Sequence, residues 1–191
     1  MTADLTTGIA TGDGSDTMAN IEDLEGSLHG DTLIGNAGDN FFFPLAGDDA
    51  LTGGDGFDLV SFFGAPVPIN ANLVTGTATG DGNDTLVTIE DLAGTEHLGG
   101  DDLTGDANQN LLFGLEGNDR LFGMEGDDFL DGGAESDSLD GGPHVMGDEC
   151  VNGEVMVECE ILGAGRAASK AATRSAALVR EVLRHPNARR A

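Results

Sequence analysis

Residues 26–61 read GSLHGDTLI, GNAGDNFFF, PLAGDDALT and GGDGFDLVS when the chain is cut every nine residues. Position six is Asp31, Asn40, Asp49 and Asp58, and position eight is Leu33, Phe42, Leu51 and Val60. Position four is His29, Gly38, Gly47 and Gly56. A turn residue, an oxygen donor and an apolar plug thus recur in fixed order, as G-G-x-G-x-D-x-U-x with U large and apolar. The glycines permit positive φ and close backbone approach, so the first six residues of a unit predict a tight turn with carbonyls aimed inward. The last three, x-U-x, predict a short strand with U on one face, and two units per coil bury U between stacked strands.

The same register continues outward from this stretch. Thr11–Ala19 and Thr79–Val87 are isolated units, and Glu96–Asp140 supplies five more, EHLGGDDLT, GDANQNLLF, GLEGNDRLF, GMEGDDFLD and GGAESDSLD. Their position-six residues are Asp16, Asp84, Asp101, Asn110, Asp119, Asp128 and Asp137, and position eight is apolar in all eleven units. The chain is also an internal duplication. ATGDGSDTMANIEDLEGS (Ala10–Ser27) matches ATGDGNDTLVTIEDLAGT (Ala78–Thr95), with two residues inserted near Leu98. Met1 aligns with Ile69, so the expectation is that Met1 opens mid-module, with an upstream half lost or a longer protein behind it. The segments Asn20–Glu25 and Phe62–Ala78 lack the repeat, and the alternation Ile69, Ala71, Leu73 predicts ordinary strands that widen the coil.

Charge narrows the function. The 191 residues carry 35 acids and 8 bases, a formal −27, with 31 Gly, 9 Phe and neither Trp nor Tyr. A compact state with that self-repulsion and so little aromatic core calls for bound cations. Before Gly165 the only base is Arg120, so the acidic body is the wrong sign for nucleic acid. No apolar run reaches the length of a membrane span, and the start MTADLTTG lacks a signal-peptide pattern. Ca²⁺ takes six to eight carboxylate and carbonyl oxygens, which these turns offer, and it fits better than Mg²⁺ with its stricter octahedron. HExxH and GxSxG are absent, and the EF-hand-like start at Asp81 has Leu86 and Leu92 where Gly and Glu are needed. No catalytic constellation is present, so the chain does not read as an enzyme.

These nonapeptides resemble the RTX (repeats-in-toxin, haemolysin-type) calcium-binding family over about residues 1–148. The resemblance implies an all-β parallel β-roll with Ca²⁺ between turns of units n and n+2, roughly five ions here. It implies metal ligands at Asp31, Gly35, Asp49, Gly53, Gly54, Gly56, Asp58, Asp101, Gly114, Gly117, Asp119, Gly123, Gly126, Asp128, Gly132 and Asp137. The position-six residues Asp16, Asn40, Asp84 and Asn110 complete the candidates. Asn40 and Asn110 give a neutral amide in place of a carboxylate, His29 and Glu135 hold position four, and Pro44-Leu45 replaces the Gly pair, all of which predict weaker sites. The family context implies an extracellular bacterial protein exported without a cleaved signal peptide. Its roll would fold with Ca²⁺ and serve a structural, secretion-coupled or adhesion role, or be the repeat part of a secreted hydrolase or toxin.

After the repeats, 149–163 predicts a capping hairpin turned at Asn152-Gly153. Cys150 and Cys159 are the only cysteines and are expected to pair in an oxidising compartment or stay free in a reducing one. Residues 164–191 predict a short helical tail. Arg166, Lys170, Arg174, Arg180 and Arg184 share one arc, and Ala168, Ala171, Ala172, Ala176, Val179, Val182 and Leu183 share the opposite one. Such a tail suits an anionic membrane or cell surface, an acidic partner, or the protein's own acidic roll.

Overall fold

The computed structural model describes residues 1–143 and 147–159, and among these it is all-β with no helix. The chain opens with an antiparallel meander, β1 (Thr2–Asp4), β2 (Ile9–Gly12) and β3 (Gly14–Thr17). It then steps between two sheets through β4 (Asp23–Glu25), β5 (Thr32–Ile34), β6 (Phe41–Phe43), β7 (Ala50–Thr52) and β8 (Leu59–Ser61). A second meander follows, β9 (Asn70–Asn72), β10 (Thr77–Thr79) and β11 (Asn83–Val87). The alternation then resumes through β12 (Asp91–Ala93), β13 (Asp102–Thr104), β14 (Leu111–Glu116), β15 (Arg120–Phe122), β16 (Phe129–Ala134), β17 (Ser138–Asp140), β18 (Glu149–Val151) and β19 (Val155–Val157).

The result is a parallel β-solenoid of about 7 turns, one for each strand of the smaller sheet, β18-β16-β14-β12-β8-β6-β4. The larger sheet has 12 strands, because both meanders lie wholly within it. The predicted widening is therefore real. β9 pairs with β13, β10 turns back, and β11 pairs with β7, while in the smaller sheet β8 lies directly against β12. Phe62, Ile69 and Ile89 fill the widened interior.

Position eight forms the core. Leu33, Phe42, Leu51, Val60, Leu103, Leu112, Leu121, Leu130 and Leu139 are each 0–1% exposed and pack in one cluster. Each contributes about 1.5–3 kcal/mol by leaving water, which stands in for the aromatic core the composition lacks.

Two expectations are corrected. The capping hairpin over 149–163 is not formed among the described residues. β18 and β19 do not pair with each other; β18 runs parallel to β16 and β19 parallel to β17, so they add one more coil. The Asn152 turn has φ 54°, but it makes a solenoid corner rather than a reversal, and Cys150 occupies the buried plug position. A turn signal fixes a bend and not the partner of the strand that follows it. The isolated unit Thr11–Ala19 is a corner of an antiparallel meander and not a roll turn, whereas Thr79–Val87 turns between β10 and β11 and still brings Leu86 and Asp84 into the roll beside β7. A disulfide joins Cys150 to Cys159. The expected helical tail lies outside the described residues.

Candidate metal centre

The position-six side chains stack in columns along the flanks of the solenoid, and each column is stitched by one repeated hydrogen bond. The N–H of the residue in one coil donates to the carboxylate of the residue a coil later. Asp31 donates to Asp49 Oδ1 at 2.7 Å and Asp49 to Asp84 Oδ1 at 3.0 Å. Asn40 donates to Asp58 at 2.8 Å, and Asp58 to Glu90 Oε2 at 2.9 Å. In the second copy Ile69 donates to Asp101, Asp101 to Asp119 at 2.7 Å, Asp119 to Asp137 at 2.9 Å and Asp137 to Glu154 at 2.6 Å. Asn110 donates to Asp128 and Asp128 to Asp148, both at 2.8 Å.

One oxygen of each carboxylate is thus spent on the column, and the other divides the turns into two kinds. In the first kind a main-chain N–H closes onto it. Ser27 donates to Asp31 Oδ2, Asn36 to Asn40 Oδ1 at 2.7 Å, Thr95 to Asp101 Oδ2 at 2.7 Å and Asp106 to Asn110 Oδ1 at 2.7 Å. These closed turns begin the runs of the columns. In the second kind, Asp49 Oδ2, Asp119 Oδ2, Asp128 Oδ2 and Asp137 Oδ2 are buried and receive no hydrogen bond. A buried carboxylate oxygen without a donor costs about 1–3 kcal/mol or more, so these open turns present an oxygen that a positive partner would stabilise.

Backbone conformation separates the two kinds in the same way. Positions two and four are left-handed in five turns, at Leu45 and Gly47, Gly54 and Gly56, Leu115 and Gly117, Met124 and Gly126, and Gly133 and Glu135. Gly142 and Gly147 repeat the conformation ahead of Asp148. The closed turns at Ser27, Asn36 and Asp106 do not adopt it. Pro44-Leu45 and Glu135, expected to erode their turns, therefore keep the same backbone as the glycines they replace.

The open oxygens face a second oxygen across the turn. A Cβ built on Gly114 would meet both Asp119 Oδ2 and the Gly132 carbonyl inside 3.0 Å, and one on Gly123 would meet Asp128 Oδ2 and the Gly141 carbonyl. Gly132 bears the same relation to Asp137 and the Asn152 carbonyl, and Gly53 to Asp58 and the Thr88 carbonyl. Carboxylate and carbonyl oxygens from successive coils so converge beside a glycine that a side chain cannot replace. Among the described residues no three His, Cys, Asp or Glu side chains gather at one point, so a cation here draws on carbonyls together with carboxylates. That mixed oxygen set fits Ca²⁺.

Electrostatics follow burial more than this division, since burial also raises Asp101 in its closed turn. Burial, with the charges of stacked neighbours, pushes Asp119 up to about 7 and Asp128 up to about 8, and raises Asp49 and Asp137. Asp84, at the end of its column, is pushed up to about 6, again by burial first. Burial alone would raise Asp31 too, but the Met1 ammonium and the Ser27 N–H outweigh it and hold that carboxyl low. Unneutralised carboxylates at column spacing repel, and a divalent cation reverses that sign.

The candidate residues now sort plainly. The structure brings Asp49, Asp119, Asp128 and Asp137 into open turns, with Gly53, Gly54, Gly56, Gly114, Gly117, Gly123, Gly126 and Gly132 supplying close backbone. Asp31, Asp101, Asn40 and Asn110 sit in closed turns, where Gly35 packs against Asn40 Oδ1 and the Gly53 carbonyl. Both asparagines use the whole amide, since Asn40 Nδ2 donates to the Glu22 carbonyl at 3.1 Å and Asn110 Nδ2 to the Glu90 carbonyl at 2.8 Å. Asp16 is not brought to a column and lies exposed on β3, although its duplicate Asp84 is buried in one. Sequence reading missed Glu90, Glu154 and Asp148, which complete three columns. Asp148 was legible only by allowing Gly141–Asp148 two extra residues, and Glu90 only as the acid repeated in both IEDL copies. The insertion near Leu98 also moves the start of its unit, since Thr95 takes the place of Ser27 and Gly94 precedes it.

Compared with known families, residues 25–60 and 113–143 match the RTX calcium-binding nonapeptide repeat, in 4 copies. The comparison with curated proteins finds no match.

Proposed function

On the premise that this chain carries RTX calcium-binding nonapeptide repeats, we propose that its open turns are its calcium sites and that their filling is what folds the roll. The observation that carries this is the set of buried, donorless Oδ2 atoms of Asp49, Asp119, Asp128 and Asp137. Bound Ca²⁺ supplies divalent charge and six to eight coordination positions for oxygen. The chain's own groups do the rest. Position-six carboxylates hold one oxygen on the column and present the other, glycine carbonyls of the next coil approach it, and position-eight side chains lock the coils in register. The five left-handed turns support about five ions, with the turns at Asp119, Asp128 and Asp137 as the tighter set, while Asp101, expected among the tighter ligands, sits in a closed turn.

The folded roll serves as a non-catalytic structural or secretion-coupled module outside the bacterial cell. The Cys150–Cys159 bond fits an oxidising compartment. Among the described residues no helix is long and apolar enough to cross a membrane. The test is a calcium titration followed by circular dichroism and calorimetry. The expected result is a cooperative gain of β-structure with about five ions bound. A chain already rich in β-structure in excess chelator, and unchanged by millimolar calcium, overturns the proposal.

A further inference from the structure

The duplication places one surface in the molecule twice, once covered and once open. β11 and β12 are interior strands: β7 pairs with β11, setting Leu51 against Leu86, and β8 pairs with β12, setting Val60 against Leu92. Their counterparts in the first copy, β3 and β4, are end strands, one of the larger sheet and one of the smaller. Burial records the difference. Asp84 is buried and its counterpart Asp16 is exposed, and Ile89 is 6% exposed where Ile21 is 40%. β11 continues to Val87 along β7, whereas β3 stops at Thr17. At this open edge lies a hollow of about 250 Å³ lined by Leu5, Met18, Asn20, Ile21 and Glu22, among others.

On the covered surface the coil β7–β8 is held by four donors. Asp49 N–H donates to Asp84 and Asp58 N–H to Glu90. Gly53 N–H donates to the Val87 carbonyl and Gly54 N–H to Thr88 Oγ1. The open surface keeps an acceptor at each matching place: Asp16, Glu22, the Ala19 carbonyl and Asn20, whose amide oxygen replaces the hydroxyl. Its corner is already shaped, with φ 55° at Asn20 and 50° at Thr88.

We propose that the edge made by β3 and β4 is a docking site for a coil of two nonapeptide units carried by a different polypeptide. Such a coil adds one strand to each sheet and sets its two apolar plugs over Met18 and Leu24, as Leu51 and Val60 sit over Leu86 and Leu92. A second copy of this chain fits less well. Among the described residues its free coil end is β18–β19, and Glu149 of β18 holds the place that Leu59 holds in β8. Leu59 lies opposite Asp91, so Glu149 would lie opposite Asp23, and like charges directly opposite are destabilising. Docking also engages calcium, and in this it rests on the calcium reading of the open turns. A Cβ on Gly53 would meet both Asp58 Oδ2 and the Thr88 carbonyl. The Asn20 carbonyl is the matching oxygen of the open edge, so the junction gathers a carboxylate and a carbonyl from two chains.

The chain supplies its own probe, the peptide Pro44–Ser61, which is the sequence that covers the second copy of the surface. It is titrated into the calcium-loaded full chain, with binding read by calorimetry and by hydrogen exchange of residues 14–25. The calcium-induced circular dichroism of the full chain is recorded first, so that failure of the calcium reading is seen apart from failure of the docking. The expected result is one peptide per chain and slowed exchange at 14–25. Ile21→Asp and Asp16→Lys, both at exposed positions, should each bind at least about tenfold more weakly while keeping the calcium-induced circular dichroism. Val74→Asp, at an exposed apolar residue away from the edge, should bind as the parent does. A peptide that does not bind at millimolar concentration, or that binds both edge variants as tightly as the parent, overturns the proposal. Protection of residues 14–25 before any peptide is added assigns the edge to this chain's own segments or to a second copy, and likewise overturns it.

Discussion

The turn around Asn110 and the turn around Asp128 lie one coil apart in the same column, yet they are different chemical devices. Asn110 takes an N–H from Asp106 on its oxygen and gives its own amide hydrogen to the Glu90 carbonyl, so the turn is complete in itself. Asp128 gives one oxygen to the Asn110 N–H and leaves the other buried without a donor. One nonapeptide formula therefore yields both a self-sufficient turn, which starts a column, and a turn with a buried carboxylate oxygen left open, which continues it. The Asn substitutions are not decay of a ligand. Each sits where a carboxylate would face a carbonyl oxygen, and only an amide satisfies both contacts.

The largest expected effect comes from making an open turn neutral. Asp119→Asn or Asp128→Asn should raise the calcium concentration at the folding midpoint about tenfold or more, because a buried anionic ligand is lost. A midpoint unchanged in titration calorimetry would erase the distinction between the turns. Acid offers the second test. Asp119 at about 7 and Asp128 at about 8 lie above their unfolded values. The native metal-free state therefore takes up protons, and that contribution is full below about pH 4 and lost as pH rises through 7 to 8. In chelator, β-structure measured by circular dichroism should grow on acidification from pH 8 to pH 4.5. Growth in the opposite direction breaks the assignment. Calcium added at pH 7 should release protons, seen as buffer-dependent heats.

Reversing the exchange gives a smaller effect. Asn110→Asp places a carboxylate against the Glu90 carbonyl and should cost about 1–3 kcal/mol in urea unfolding at saturating calcium. Full stability with one more ion bound would show that the turn was never closed. The smallest effect concerns backbone strain. Met124 is 42% exposed and left-handed at φ 78°. Met124→Gly should stabilise the holo-protein by up to about 1 kcal/mol, since relief of strain exceeds the added chain entropy. Asn36→Gly, in a closed turn, should instead lose about 0.5–1 kcal/mol, with thermal midpoints deciding the sign in each case.

Much of this was legible beforehand because the nonapeptide couples local chemistry to global repetition. The plugs at position eight, the carboxylates at position six and the widening after Phe62 were all readable, since a period of nine leaves each residue type one place to go. The closed turns were not readable. Ser27, Asn36 and Asp106 differ in kind, and what unites them is a backbone N–H that any residue but proline carries. Glu90, Glu154 and Asp148 stood out of register, and they join the columns through contacts 32, 17 and 20 residues apart. The Asn152-Gly153 signal predicts a hairpin where the chain makes a corner, because a two-residue turn signal carries no information about which sheet receives the next strand.

The sequence by itself determined the repeat, the two-unit coil, the oxygen-rich turns and the charge that makes a cation necessary, because each follows from residue type at fixed spacing. Only the tertiary structure decided which turns leave a carboxylate oxygen open. Leu45, Leu115, Met124 and Glu135 take left-handed conformations that their side chains disfavour, so stacking between coils, and not local preference, sets those turns. Whether a carboxylate's second oxygen meets an N–H or stays open depends on that stacking too, and no property of the single nonapeptide specifies it.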